Sequence, residues 1–145
     1  EKTMKDQKKI LRSLVVLALI LVAYFLRPQE APRKNDFSLE AVAHYVSVHQ
    51  ELPDGYITKN EARALGWEER KGNLSEVAPG KAIGGDRFQN REKLLPDAPD
   101  RIWYEADLDY DGGYRGPKRL LYSSDGLIYY TLDHYETMNH WEESE

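Results

Sequence analysis

The chain has 145 residues, enough for one independently stable domain with length to spare and too few to require a second. It contains no cysteine, which excludes a disulfide framework or a thiolate metal site and leaves packing, helped by an aromatic content of 11%, as the source of stability. The formal charge of −5 hides a basic amino end: the body after residue 28 is near −9 (14 basic, 23 acidic), which excludes broad electrostatic capture of nucleic acid and allows at most a local positive cleft.

Residues 1–28 read as a targeting segment. Lys2, Lys5, Lys8, Lys9 and Arg12 precede the 13-residue apolar run Leu14 to Leu26, the order of a charged n-region and an apolar h-region. Thirteen residues are short for a membrane span, so a cleaved export signal is the first expectation and a retained signal anchor the alternative. Residues 29–36 then form a linker, and residues 37–145 the folded domain.

Ser38 is placed to cap a helix from about Leu39 to Gln50, with Leu39, Val42, Tyr45, Val46 and His49 along one stripe. Thr58-Lys59-Asn60-Glu61 is a capping box, so a second helix runs from Lys59 to about Leu65 and stops at Gly66. Lys59 then lies in a first turn, where backbone amides and an ammonium together attract an anion. Residues 72–92 read as a glycine-rich loop, either purposeful or merely connecting; backbone amides there and the Glu92 carboxylate together complement the O6 acceptor and the N1–H and N2–H donors of guanine.

From Trp103 to Glu136 the pattern changes to period two. Ile102, Tyr104, Ala106 and Leu108 share one strand face and Trp103, Glu105 and Asp107 the other. Leu120 to Ser123 and Leu127 to Thr131 are two more strands joined by the turn Ser124-Asp125-Gly126, and His134 follows the second. If these are antiparallel neighbours, Glu105, Arg115, Arg119 and His134 converge, which supplies the carboxylate, imidazole and cations that phosphodiester chemistry needs. Asp107, Asp109, Asp111 and Gly112 imitate the start of a calcium loop, but its twelfth position is Lys118 rather than a bidentate Glu, so no metal is expected. His44, His49 and His140 lack partners at metal-ligand spacing.

Four stretches carry a resemblance: LPDGYITKNEARALGW (52–67), KGNLSEVAPGKAIGGDRFQNRE (71–92), WYEAD (103–107) and RLLYSSDGLIYYTLDHY (119–135). The body, from about Phe37 to Tyr135, resembles the barnase family of small secreted guanyl-preferring bacterial ribonucleases. The resemblance implies the microbial ribonuclease fold, an α+β domain with N-terminal helices packed on one face of an antiparallel sheet of about five strands. It implies cleavage of single-stranded RNA after guanosine by transphosphorylation, with Glu105 as general base, His134 as general acid, and Lys59, Arg115 and Arg119 neutralising the phosphate. Guanine falls to Phe88, Gln89, Asn90, Arg91 and Glu92, with aromatic contact from Tyr135. Asp107 is expected to orient both arginines, Asp125 to pair with Arg101, and Asp86 to be structural. The resemblance further implies no cofactor, a monomer, secretion to the extracellular space unless residues 1–28 remain as a tether, and a small acidic barstar-like inhibitor as partner.

The chain departs from the family pattern at Lys93, where relatives carry glycine, at Gly126, where they carry an aromatic residue, and in its acidity. Asp109 and Asp111 add negative charge near the expected phosphate cleft, so weaker RNA affinity and salt-sensitive steering are expected. A catalytically silent RNA- or protein-binding module of the same fold is the alternative reading. The pairing of Glu105 with His134 favours the enzyme, because a binder needs neither a base nor an acid.

Overall fold

In the computed structural model, residues 2–28 and 34–144 are described, and they fall into two units, residues 1–33 and 34–145. Within the first unit, Lys2–Phe25 form helix α1, whose side chains are all exposed. Its apolar run covers about 20 Å at 1.5 Å per residue, against a bilayer core of about 30 Å. No helix among the described residues is long and apolar enough to cross a membrane. Most of the expected linker, residues 29–33, lies outside the described residues.

The second unit begins with α2, Leu39–His49. Ser38 accepts from the Ala41 amide, and Gln50, in the left-handed region, closes the far end by donating to Val46 O at 2.8 Å. Val42, Ala43 and Val46 are buried, and Leu39 packs beside them. Tyr45 and His49, expected on that stripe, lie on its flank, where their rings meet at 4.2 Å; the buried face runs through Ala43 instead.

Helix α3, Lys59–Ala64, starts at the expected capping box: Thr58 Oγ1 accepts from the Glu61 amide at 3.2 Å, and Glu61 accepts from the Thr58 amide at 3.1 Å. A 3-10 turn, Glu69–Lys71, and the short α4, Leu74–Val77, follow. Ala62, Trp67, Leu74 and Ala78 from this region bury themselves with Ile83.

Six strands form one sheet in chain order: β1 Tyr56–Ile57, β2 Ala82–Phe88, β3 Trp103–Asp107, β4 Arg119–Ser123, β5 Ile128–Thr131 and β6 Asn139–His140. All neighbours are antiparallel except β1 and β2. The α+β expectation therefore stands, with short strands added at both edges and one parallel pair. Residues 82–88, expected within a loop, are a strand instead. The Gly84-Gly85 pair marks a bulge, where the β2–β3 register shifts between Gly84 and Asp86. Gly84 is needed because a Cβ there would stand 2.5 Å from Tyr56 Cδ1 and 3.0 Å from Ala106 Cβ.

The sheet buries two unlike faces. Ala106, Leu108, Leu120, Tyr122 and Ile128 pack against α2, joined by Tyr104 and Trp141. On the other face, Leu95, Trp103 and Leu121 make a smaller cluster with Phe88, Tyr129, Tyr135 and Met138, at one end of a polar strip.

Candidate active site

That polar strip follows from strand alternation. With Tyr104 and Ala106 turned to the main core, Glu105 and Asp107 must project from the opposite face. Both are buried, and Asp107 pairs across the ladder with Arg119. Glu105 is held from two sides: Lys59 Nζ lies 3.2 Å from Oε1, and the Tyr135 hydroxyl donates to Oε2. Burial first, and then the Glu105 carboxylate, push the Tyr135 phenol well above its ordinary pKa, so it remains a donor. Lys59 reaches this position because its own amide donates to Asp86 Oδ2 at 2.9 Å, which ties the start of α3 to β2. Asp86 is thus structural, as expected.

Asp107 gathers the arginines. Arg115 donates through Nε and Nη2 to its two oxygens, both at 2.7 Å, a fork that fixes the guanidinium plane. Burial works against the Arg115 charge, but the hydrogen bonds to Asp107 and that carboxylate's charge outweigh it and leave the guanidinium firmly protonated. Arg119 Nη1 donates to Gly116 O and Lys118 O at 2.6 and 2.8 Å. Its Nε stands 3.1 Å from Asp107 Oδ1, close enough for attraction but too poorly aligned for a hydrogen bond, so one buried N–H is left unsatisfied. The three cations therefore meet one strip, with carboxylates fixing two of them and Arg119 fixed by carbonyls.

His134 follows β5 on a turn whose latch was not foreseen. Asp133 accepts from the Thr131 hydroxyl at 2.8 Å and from the Thr137 amide and hydroxyl at 2.9 and 2.6 Å, and Thr131 Oγ1 accepts from the Tyr135 amide at 3.0 Å. These bonds from Thr137 and Thr131 lower the Asp133 carboxyl to about 2. The spacing Thr131-x-Asp133 with Thr137 four residues on is the signal that could have revealed it. His134 is exposed, and its ring adjoins that of Tyr135, the same residue that holds Glu105.

Beside Glu105, residues 87–92 with Leu94 and Tyr135 line an open cleft of about 360 Å³, and Phe88 and Tyr135 stack there at 5.3 Å. Of the expected base-contacting group, Asn90 has its side chain already committed: it is buried, donates to Leu95 O at 2.9 Å and accepts from the Leu95 amide at 3.1 Å. Gln89, Arg91 and Glu92 are exposed at the rim. Lys93 adopts φ 52°, the left-handed conformation that glycine takes easily.

The acidic run 107–111 offers no free ligand set. Asp107 serves the arginines, Asp109 pairs with Lys118 at 2.8 Å and Asp111 with Lys34 at 3.1 Å. Asp125, as expected, accepts from Arg101 Nε at 2.9 Å.

Residues 40–142 match the ribonuclease family. The chain is 58% identical over 100 residues to a ribonuclease of Heyndrickxia coagulans, a match covering 69% of this chain and 92% of that protein. A ribonuclease of Bacillus intermedius is also 58% identical over 100 residues, covering 69% of this chain but only 62% of that protein. Guanyl-specific ribonuclease St of Saccharopolyspora erythraea is 37% identical over 54 residues, 37% of this chain and 54% of that one.

Proposed function

This chain belongs to the ribonuclease family, and from that footing we propose that it is an extracellular endoribonuclease cleaving single-stranded RNA after guanosine, without a cofactor. The observation that carries the reading is Glu105, a buried carboxylate gripped by Lys59 and Tyr135 and flanked by the Asp107–Arg115–Arg119 cluster, with His134 on the adjoining turn.

Glu105 takes the proton of the ribose 2′-hydroxyl, and the 2′-oxygen attacks the neighbouring phosphorus. His134 gives its proton to the departing 5′-oxygen as that P–O bond breaks. The products are a 2′,3′-cyclic phosphate and a free 5′-hydroxyl. The negative charge gathering on the phosphoryl oxygens is met by Arg115, Arg119 and Lys59, whose orientation is settled before substrate arrives. In the slower second step a water attacks the phosphorus of the cyclic ester as His134 takes its proton, the bond from phosphorus to the 2′-oxygen breaks as Glu105 returns a proton to that oxygen, and the 3′-phosphate results. DNA lacks the 2′-nucleophile and is not cleaved.

Guanine binds in the cleft of residues 88–92. Glu92 accepts from N1–H and N2–H, backbone amides of the loop donate to O6, and Phe88 and Tyr135 supply aromatic surface. Asn90 acts through its backbone, since its side chain clasps Leu95. Steady-state cleavage of GpU and ApU in EDTA tests this: GpU is converted to guanosine 2′,3′-cyclic phosphate far faster than ApU to its counterpart, and Glu92→Gln narrows the gap. Equal turnover of the two would exclude the guanine assignment.

Residues 1–28 direct export, and the intact mass of the protein recovered outside the cell distinguishes removal of that segment from retention as a tether. The enzyme acts as a monomer. A small acidic barstar-like inhibitor binds it more weakly than it binds basic relatives, because the acidic body repels it. Titration at two salt concentrations checks this, and equal affinity with equal salt dependence would rule it out.

A further inference from the structure

Glu69 takes no part in that reaction, yet its carboxylate rests on one of the cations the phosphate must use. Arg115 has Nε and Nη2 committed to Asp107, so Nη1 is the nitrogen left to meet an anion; Glu69 Oε1 lies 3.3 Å from it. Two further contacts show that this is more than a long side chain brushing the surface. Tyr114, next to Arg115 in sequence, donates its hydroxyl to Arg70 O at 3.2 Å. Its ring lies so close to Gly72 that an added Cβ would stand 3.1 Å from Cδ1. The segment bearing Arg115 is therefore stitched to the 3-10 turn Glu69–Lys71, and the carboxylate is delivered to the guanidinium by backbone placement.

We propose that Glu69 is a resident anion on the phosphate seat of Arg115, which the RNA phosphate must displace, so that it raises the KM of the reaction without entering its chemistry. The proposal rests on the ribonuclease reading above and names a regulator of that site. The contact is weak by construction. Glu69 is 63% exposed against 10% for Arg115, and a single long N–H···O contact to a solvated carboxylate exchanges easily. A phosphodiester can present two oxygens to the arginines and outcompete it. Until Glu69 swings away, however, two anions share one cation a few ångströms apart.

The test compares the full chain with Glu69→Gln and with Glu68→Gln. Glu68 is the adjacent acid, 2.6 Å from Lys71 and with no contact to Arg115, so its variant makes the same change in net charge. Two readouts are needed: KM and kcat for GpU, and the dissociation constant of inorganic phosphate by calorimetry. Glu69→Gln lowers KM and tightens phosphate by a similar factor, about three- to tenfold at low salt, with kcat within about twofold; the difference fades near 0.5 M salt. Glu68→Gln moves both far less. Unchanged KM and phosphate affinity in Glu69→Gln, or equal effects of the two variants, would overturn the proposal. If the wild-type chain binds phosphate but turns over no RNA, the ribonuclease reading fails, and tighter phosphate binding by Glu69→Gln still supports a resident anion.

Discussion

His134 and Tyr135 stand at φ 54° and 71°, consecutive left-handed residues without glycine's freedom, and such a turn persists only where its surroundings over-determine it. Asp133 is the over-determining group through its bonds to Thr131 and Thr137. Asp133→Asn should lower kcat while leaving the loop of residues 88–92 intact, seen as a larger effect on kcat than on KM for GpU. It should also alter acid stability in a definite sense. Because the folded carboxyl is depressed to about 2, its stabilisation is complete above the ordinary aspartate range and is lost as pH falls through about 2. Melting temperatures taken between pH 4 and pH 2 should thus fall more steeply for the wild type than for the asparagine variant. Lys93 carries the opposite lesson, a left-handed residue with little to over-determine it: its amide donates to Asn90 O at 3.0 Å. Lys93→Gly removes that strain and, after the extra freedom of the unfolded chain is subtracted, should stabilise the protein by about 0.5–1 kcal/mol. Urea midpoints measure this directly.

At the scale of elements, α3 matters because its first residue is Lys59. Thr58→Ala breaks the capping box and should cost about 1 kcal/mol in urea unfolding, with a several-fold loss of kcat/KM as Lys59 loses its fixed approach to Glu105. This element was legible because a capping box is local: Thr58 and Glu61 satisfy each other within four residues. The strands carrying Glu105 and Arg119 were legible for a similar reason, since alternation at 103–107 separates core from cleft and the Ser124–Gly126 turn sets the pairing of β4 with β5. Strand β2 was not. Its glycines look like a loop, and the reason for Gly84 lies in Tyr56 and Ala106, residues distant in sequence. Nor could local pattern show that Asn90 spends its side chain on Leu95, or that Glu69 reaches Arg115 across 46 positions.

At the scale of the whole molecule, charge is the unusual feature. A body near −9 encloses a strip of cations, and Asp109 and Asp111, expected to oppose RNA, are each matched by a lysine. The near field therefore attracts a phosphate while the far field repels a polyanion. Salt should therefore act on affinity in opposite senses through the two fields. The association rate of a non-cleavable 2′-deoxyguanosine oligonucleotide should rise from about 20 to about 150 mM salt as repulsion is screened, which favours binding, and the dissociation rate should rise as phosphate contacts weaken, which disfavours it. Stopped-flow measurement separates these, and an association rate falling with salt would show that the cleft dominates steering.

The division of labour between Glu105 and His134 is most directly tested by changing the leaving group. Glu105→Ala and His134→Ala should each lose about 10²–10⁴-fold in kcat on GpU, as removal of a general base or acid does. Guanosine 3′-(4-nitrophenyl phosphate) offers the same nucleophile but a leaving group that departs without a proton. On it, His134→Ala should recover to within about tenfold of wild type, the residue of that acid–base factor being no longer needed, while Glu105→Ala stays impaired. If His134→Ala is as defective on the activated ester as on GpU, or if Glu105→Ala is the variant that recovers, the assigned roles are wrong.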